Sequence, residues 1–449
     1  MSRGRIVAPS GRIGRIRPLP GRGGPRTPRP AAPQGAEEAQ GGAKTLILFV
    51  ALPMFLQSFH YMVDAGPLYY LSKAWPVLAF PLALLCLRGR LTAAQGVYGL
   101  TLVYVAGVTP ALSMIHFGNS VFDALATTAK VWPLTYFFSA LGGLLLLKPG
   151  EERLRRVVLA LGIATFAVMW ALWLIVPKSF YASSSAVTKL FLFDYERGYR
   201  IYMPMTFGLI LMFFSARRAL SSLSAWAWWV PVGFGLISLL VIYKQRTTIA
   251  AALVVVGLIA LRSLPRRFIL GLVGVGGTLA LLAALTVLLG GDGGWTETLI
   301  GSLGASLSVR QETAATASRY LLVSPLSWIF GVGSITRFSS MTLNDVFGSD
   351  LFFLADIGWL GVVFEYGAVG AVLILMIHAV GLRRALRRAP VRAGTPAGDF
   401  RRALGDMIIM VCLETAIYSP VFTPGIVAAL TASLIYLDAE FSAHGTGKG

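Results

Sequence analysis

The feature that most constrains this chain is a repeated apolar stretch of about 17 to 25 residues, the length that an α-helix needs to span a bilayer core. Only 13% of the residues are charged and 56% are hydrophobic, whereas soluble domains carry about 25% charged residues. The apolar runs are continuous rather than alternating, unlike the short strands of a membrane β-barrel. The sequence therefore predicts an all-α integral membrane protein.

The apolar runs predict about twelve transmembrane helices. They lie near residues 45–63, 67–87, 91–112, 125–147, 157–176, 201–216, 223–242, 247–261, 268–289, 352–382, 404–419 and 421–437. Residues 1–43 are rich in Arg, Pro and Gly, so we predict a disordered basic cytoplasmic arm. Residues 44–438 then form a polytopic membrane domain, and residues 439–449 a cytoplasmic tail.

The distribution of Lys and Arg predicts the orientation of these spans. With the N-terminus inside, 28 of these residues lie in cytoplasmic segments and 9 in external ones, as the positive-inside rule requires. The formal charge of +19 would also suit nucleic-acid binding, but helix orientation explains it and no nucleic-acid partner is expected. Membrane lipids are an expected partner, because the arginines of the arm can contact anionic headgroups. Both termini are therefore predicted to be cytoplasmic.

Two of the predicted external segments are long, residues 177–200 and residues 290–350. Loops of this length inside a compact protein are usually functional. The inner loops are short and basic by comparison. We therefore expect the chemistry on the outer face of the membrane.

A third external segment, "VIYKQRTTIA" at residues 241–250, places two cations between apolar runs. Lys244 and Arg246 could anchor the helix ends in lipid headgroups, as Lys and Arg often do. Alternatively, they form a cationic site facing an external cavity, where a guanidinium matches phosphate oxygens and Thr247 and Thr248 add hydroxyl donors.

The longest external segment contains "SVRQETAATASRYLLVSPLSWIFGVGSITRF" at residues 308–338. Its residues 310–320 predict a helix, which Pro325 and the Gly-Val-Gly turn then end. Arg310 and Arg319 are nine residues apart, so they fall on opposed faces of that helix. Each arginine could equally be a solvated cation of the loop.

This segment resembles the O-antigen polymerase and ligase (Wzy/WaaL-type) family of bacterial surface polysaccharide assembly. The resemblance lies in an Arg after a small polar residue, followed by a short helix, a Pro and a "GVG" turn. The segment "SDLFFLADIGWLGVVFEYGAVGAVLI" at residues 349–374 and the "KQRT" at residues 244–247 are similar to that family as well. The resemblance covers residues 241–382 by motif and the remainder only by span count and loop placement.

The resemblance implies a GT-C-like membrane glycosyltransferase on the outer face of the bacterial cytoplasmic (inner) membrane. Its donor would be a polyprenyl-diphosphate-linked oligosaccharide, and its partners would include chain-length regulator and export proteins. Arg246 and Arg310 match the family's paired arginines, which would stabilise the leaving diphosphate. Weaker matches for substrate binding are Lys244, Arg319 and Arg337.

The chain departs from the ligases of that family, because the external segment before the later span, "LNDVFGSDLFFLADIG" at residues 343–358, contains no His. Asp350 stands at the span entrance instead, as a base for the acceptor hydroxyl or as a helix N-cap. Asp356 follows as a further acidic candidate for substrate binding. Glu365 lies within a span and should face the bundle interior, where it binds sugar hydroxyls or pairs with Lys130 or Lys73.

A polymerase that joins lipid-linked repeat units is therefore the leading functional hypothesis. The alternatives are a ligase that transfers glycan to a lipid A core, and a flippase for lipid-linked sugars. Charged residues inside spans are few and no repeat is evident, which disfavours transport. No metal or other cofactor is implied, and two distant cysteines, Cys86 and Cys412, suggest neither a disulfide nor a metal site.

Overall fold

The computed structural model describes residues 34–87, 91–183, 189–194, 197–221, 223–263, 310–335, 342, 344–345, 348, 354–387, 391 and 393–445. By its internal contacts the chain divides into two units, Met1–Ala43 and Lys44–Gly449. Apart from residues 34–43, the architecture below belongs to the second unit. Most of the predicted external segment 290–350 and the whole predicted span 268–289 lie outside the described residues.

The described part of the chain is mostly helical. Its α-helices are α1 Gln34–Phe55, α2 Pro67–Leu78, α3 Phe80–Cys86, α4 Ala93–Val103, α5 Thr109–Phe117, α6 Val121–Thr127, α7 Tyr136–Leu147, α8 Glu151–Ile175, α9 Thr206–Ser221, α10 Trp229–Ser238, α11 Arg246–Ser263, α12 310–322, α13 Pro325–Phe330, α14 Gly358–Leu386, α15 Pro396–Glu414 and α16 Pro424–Gly445. Short 3-10 helices cover Val63–Ala65, Thr128–Lys130, Trp132–Thr135, Lys178–Phe180, Leu223–Trp228 and Leu354–Asp356, and π-helical turns cover Tyr104–Val108 and Leu239–Tyr243.

Local sequence signals account for several of these helix starts. Thr92 forms a capping box at the start of α4: its hydroxyl accepts a hydrogen bond from the backbone N–H of Gln95, and its own N–H donates to the Gln95 side chain at 2.7 Å. Ser120 caps α6 in the same way by accepting from the N–H of Asp123 at 3.1 Å. Each cap satisfies a backbone donor that the first helical turn leaves unpaired.

Six helical segments among the described residues are long and apolar enough to cross a membrane, or seven if one pair that bends by 58° counts as a single span. The six are Pro67–Cys86, Ala93–Phe117, Glu151–Ile175, Ala225–Tyr243, Gly358–Leu386 and Pro424–Ser442. These helices support the prediction of an all-α membrane protein. The count of twelve spans and the N-in orientation stay predictions.

Helix α14 is interrupted at Gly367, which has φ 65° and ψ −176°. The break receives Gly331, whose φ is 84°, and a Cβ on either glycine would lie within 2.6 Å of backbone atoms of the other segment. Val332 donates a backbone hydrogen bond of 2.9 Å to the carbonyl of Phe364. The Tyr104 hydroxyl, 2.9 Å from two further carbonyls of these segments, adds a side-chain contact. The turn after α13 is thereby fixed against the middle of the bundle.

The predicted external segment 177–200 contains a small three-stranded sheet, β1 Ala182–Ser183, β2 Phe191–Asp194 and β3 Gly198–Ile201. Strand β1 is parallel to β2, and β2 and β3 form an antiparallel hairpin that pairs Phe191 with Ile201. Asp64 holds the start of this hairpin, because its carboxylate accepts from the N–H of Leu190 at 2.8 Å and pairs with Lys189 at 3.1 Å.

Buried ion pairs join the helices at the end of the bundle that is predicted to be cytoplasmic. The side chain of Arg401 is 0% exposed and donates to Asp438 at 3.0 Å and to the carbonyl of Arg384 at 2.8 Å. Arg217 on α9 makes a two-point contact with Asp406 on α15, one bond being 2.6 Å. Because each charge has a partner in hydrogen-bonding geometry, the attraction within each pair offsets much of the cost of removing the charges from water.

Candidate functional site

A cavity of about 390 Å³ lies at the opposite end of the bundle, which the Lys and Arg distribution predicts to be extracytoplasmic. It is lined by segments that are far apart in sequence: the turn after α1, the β2–β3 hairpin, the start of α9, the start of α11, the first residue of α12, the residues before α14, the end of α15 and the turn before α16. We call it the arginine cavity, because Arg197, Arg200 and Arg310 line it.

Three guanidinium groups thus meet in one cavity. Arg197 and Arg200 reach it from the β2–β3 hairpin, and Arg310 from the beginning of α12. The Nε atom of each is buried and has no hydrogen-bond partner among the described residues. Arg197 and Arg200 do lie near Asp194, but the ion-pair distances are long, 3.5 and 3.8 Å. Burial, together with the neighbouring charge of Arg197, lowers the pKa of Arg200.

Two carboxylates line the same cavity. Asp356 lies in the 3-10 turn that precedes α14, outside that span, and burial raises the pKa of its carboxyl while the charge of Arg310 acts in the opposite direction. Glu414 is the last residue of α15, and it accepts a hydrogen bond of 2.7 Å from the hydroxyl of Thr248 on α11. The cavity therefore offers both cationic donors and carboxylate acceptors.

Aromatic rings complete the wall of the arginine cavity. Tyr202 and Tyr243 are stacked with their centroids 5.8 Å apart, and Tyr61 is stacked on Phe422 at 4.1 Å. The guanidinium carbon of Arg310 lies 5.9 Å from the ring centroid of Tyr418. Aromatic walls with a few convergent polar groups are typical of ligand sites.

The segment "VIYKQRTT" contributes to the cavity through different residues from those predicted. Gln245 and Thr248 line the cavity and are buried, whereas Arg246 is exposed at the start of α11 and is not among the lining residues. Lys244 points its ammonium group to the carbonyl of Arg197, at 3.0 Å. Neither predicted cation of this segment lines the cavity, so substrate roles for Lys244 and Arg246 stay predictions.

Arg310 and Arg319 have different surroundings, as their spacing predicts. Residues 310–322 are helical, and Arg310 lines the cavity while Arg319 is exposed. Arg319 contacts its own helix, through the carbonyl of Ala315 and the hydroxyl of Thr316, both at 3.4 Å. The geometry brings Arg310, and not Arg319, together with the other cavity residues.

Glu365 lies away from the lining of the arginine cavity. Its carboxylate is in direct contact with the ammonium group of Lys130, and it accepts a hydrogen bond of 3.1 Å from Ser334. One of the two predicted pairings is therefore present, and it joins the break in α14 to the bend between α6 and α7. Arg337 and Asp350, also predicted as site residues, lie outside the described residues.

A second, apolar cavity of about 280 Å³ is lined mostly by residues of α1, α7, α8, α15 and α16. Leu56 lines both cavities. On α15 the residues that line the two cavities are about one helical turn apart. Leu404 lines the apolar cavity, and Met407 and Val411 line the arginine cavity. A polar chamber and an apolar chamber are thus stacked along the same helices.

Sequence reasoning missed Arg197, Arg200 and Glu414, although signals for them exist. The two arginines belong to the "DYERGYR" stretch at residues 194–200, inside a segment that its length already marked as functional. Glu414 interrupts the apolar run "MVCLETAIY", and an ionisable residue in such a run is a functional candidate by default. Comparison of the chain with protein-family models and with curated proteins finds no match.

Proposed function

We propose that this chain is a membrane-embedded glycosyltransferase that polymerises polyprenyl-diphosphate-linked repeat units into a surface polysaccharide, which would be O-antigen, capsule or exopolysaccharide. The reaction would take place on the outer face of the bacterial cytoplasmic membrane. One observation carries the proposal: the partly buried side chains of Arg197, Arg200 and Arg310 line one cavity, each with a buried Nε donor that has no hydrogen-bond partner among the described residues.

Unpaired buried donors are costly unless a ligand satisfies them. A diphosphate suits these three arginines because it carries several oxygen acceptors and negative charge, and guanidinium groups bind such oxygens in defined geometry. When the glycosidic bond to the lipid carrier breaks, negative charge builds up on the diphosphate. Fixed cations in a half-enclosed cavity would stabilise that charge as it forms.

The rest of the arginine cavity suits a sugar. Stacked rings such as Tyr202 on Tyr243 provide flat apolar surfaces, and Gln57, Gln245 and Ser419 add polar groups to the lining. Within the described part of the chain, Gln57 Nε2, Gln245 Oε1 and Ser419 Oγ are buried without hydrogen-bond partners. They are available to sugar hydroxyls.

The apolar cavity supports a lipid-linked donor rather than a soluble nucleotide sugar. Its lining is hydrophobic except for Ser433, and it adjoins the arginine cavity at Leu56. We assign it to part of the polyprenyl chain, whose burial is favourable by about 25 cal/mol per Å² of apolar surface. An amphiphile with a diphosphate between a sugar and a hydrocarbon chain would match both chambers.

The test is reconstitution of the purified protein in liposomes with a polyprenyl-diphosphate-linked oligosaccharide, followed by separation of products by length. A ladder of chain lengths is the expected result. A single glycan block transferred to a lipid A core would identify a ligase instead, and movement of the donor across the bilayer without new bonds would identify a flippase.

Arg310→Ala and Arg319→Ala form the matched pair for this assay, because both arginines are on α12 and only Arg310 lines the cavity. The first variant should lose the ladder and the second should keep it. Equal ladders from both variants would refute the proposed diphosphate site.

A further inference from the structure

Glu414 differs from four other carboxylates of the described bundle, each of which forms an ion pair with a Lys or Arg side chain. The four pairs are Glu365–Lys130, Asp399–Arg218, Asp406–Arg217 and Asp438–Arg401. Glu414 has no ion-pair partner in the part of the chain that the structure describes, and it is half-buried at the wall of the arginine cavity. A carboxylate kept without a counter-charge in a cleft is costly for stability and is therefore a candidate for function.

The side chain of Glu414 is held in a defined position by one neutral group. The hydroxyl of Thr248, which is 4% exposed in the first turn of α11, donates a hydrogen bond of 2.7 Å to Glu414 Oε1. This contact leaves Oε2 to accept a further proton or hydrogen bond. Through this hydrogen bond the "KQRTT" stretch contributes to the site, although its two cations do not line the cavity.

The second carboxylate of the cavity has different surroundings. Asp356 interacts electrostatically with the positive charge of Arg310, and this interaction favours its role as a partner of that guanidinium group. A base needs a carboxylate whose lone pair is directed at the substrate rather than engaged by a cation. Glu414 meets that condition better than Asp356.

We propose that Glu414 is the general base that accepts the proton of the acceptor hydroxyl, with Thr248 as its positioning residue; this assignment rests on the proposed polymerase function. In the step, the acceptor oxygen forms a bond to the anomeric carbon of the donor sugar while the bond from that carbon to the diphosphate oxygen breaks. The bonding electron pair leaves with the diphosphate, which the arginines hold. The hydroxyl proton moves to Glu414 Oε2.

The experiment compares Glu414→Gln with wild type in liposomes that contain the polyprenyl-diphosphate-linked oligosaccharide. The variant should lose kcat by about 10²- to 10⁴-fold, the usual contribution of a general base. Its equilibrium binding of a fluorescently labelled donor should change by less than about threefold, because the diphosphate contacts remain. Glu312→Gln, which changes an exposed glutamate on α12, is the matched control and should behave as wild type.

Thr248 is tested by a conservative pair. Thr248→Val removes the hydroxyl at similar volume and should lower kcat with little change in the KM for the donor, whereas Thr248→Ser keeps the donor and should restore most of the rate. These variants also test the role of Glu414 as general base if Glu414→Gln does not fold. An unchanged kcat in Thr248→Val would then overturn that role.

The result for the wild-type protein separates the two proposals. If wild type makes a ladder and Glu414→Gln makes it at the same rate, Glu414 is not the base and the polymerase function stands. If Glu414→Gln loses donor binding in parallel with kcat, the residue shapes the cavity and the assignment as base is wrong. If wild type makes no ladder, the polymerase function fails and the role of Glu414 fails with it.

Discussion

The ammonium group of Lys244 donates a hydrogen bond of 3.0 Å to the backbone carbonyl of Arg197. Lys244 is in the left-handed conformation, with φ 54°, where the π-helical turn Leu239–Tyr243 ends. Its charge also lies 5.7 Å from the ring centroid of Trp173. The sequence predicts that Lys244 is a substrate ligand or a headgroup anchor. In the structure it joins a helix end to the β2–β3 hairpin, which carries two arginines of the cavity.

Replacing this cation should loosen the hairpin. Lys244→Met keeps the aliphatic length but removes a charged hydrogen bond, which contributes about 1.5 to 3 kcal/mol. We expect the KM for the lipid-linked donor to rise roughly tenfold with a smaller change in kcat, as measured by the polymer ladder assay. Lys189→Met is the control, because its ion pair with Asp64 is exposed and such pairs contribute little, and because Asp64 still accepts the hydrogen bond from the N–H of Leu190 in this variant. A KM that is the same in both variants would contradict the proposed link.

The guanidinium groups of the cavity should not tolerate lysine. Arg310→Lys keeps the positive charge but removes the buried Nε donor and the planar geometry that binds phosphate oxygens. Loss of one charged hydrogen bond, about 1.5 to 3 kcal/mol, predicts a fall in kcat/KM of roughly ten- to a hundredfold. Arg319→Lys should leave kcat/KM unchanged, because Arg319 is exposed and is not among the residues that line the cavity. Initial rates of ladder formation measure both variants.

The ion pair between Lys130 and Glu365 should contribute to stability rather than to donor binding. The side chain of Glu365 is 5% exposed and that of Lys130 is 27% exposed, so Lys130→Met leaves a buried carboxylate without its counter-charge. Such a loss costs about 3 kcal/mol, the lower part of the usual range, since Lys130 is only partly buried. The unfolding temperature in detergent should fall. The double variant Lys130→Met, Glu365→Gln should recover part of that loss, and a double variant no more stable than the single one would refute this explanation.

The stability of the protein should depend on the protonation of Asp356. Burial raises the pKa of this carboxyl above its usual 3.8, so the folded protein holds the proton more tightly than the unfolded chain. The free energy of unfolding therefore falls as the pH rises from about 3.8 through the folded pKa. Asp356→Asn lacks this dependence. Unfolding temperatures are compared from pH 4 to pH 7. As the pH rises, the unfolding temperature of the variant should increase relative to that of wild type. Parallel curves would exclude the effect.

The contact between Gly331 and Gly367 should tolerate no side chain. Both residues have positive φ, and a Cβ on Gly331 would lie 2.5 Å from the carbonyl oxygen of Glu365. Gly331→Ala should therefore prevent recovery of monodisperse protein on size exclusion. Gly257→Ala is the matched control, because open space surrounds that position in α11 and Ala favours a helix interior over Gly by about 1 kcal/mol. If Gly331→Ala were recovered as well as Gly257→Ala, the contact would be adaptable.

Local patterns in the sequence predicted the parts of the fold that depend on nearby residues. The apolar runs predict membrane helices, and the predicted helix at 310–320 is confirmed, with Arg310 at the cavity and Arg319 exposed. In each case the structure follows from helical periodicity and from Pro or Gly close in the chain. The external segment 177–200 was expected only as a loop, although it contains a hairpin.

The composition of the arginine cavity was beyond such reasoning. Thr248 and Glu414 are 166 residues apart in sequence and 2.7 Å apart in space, and no local pattern encodes that approach. Arg246 was preferred over its neighbours because of its charge, yet Gln245, just before α11, and Thr248, in the first turn of α11, line the cavity instead. Which side of a helix faces a cavity depends on how the whole bundle packs.

The β2–β3 hairpin supplies two of the three arginines, and it lies between α8 and α9 rather than within a helix. Two of the three cationic side chains of the cavity are therefore encoded by a short connecting segment, whereas the apolar chamber is lined mostly by residues of helices. Under the proposed function, exchange of that segment would alter which polar headgroup is accepted without repacking the helices. The polar and the apolar parts of the binding site would then diverge independently during evolution or engineering.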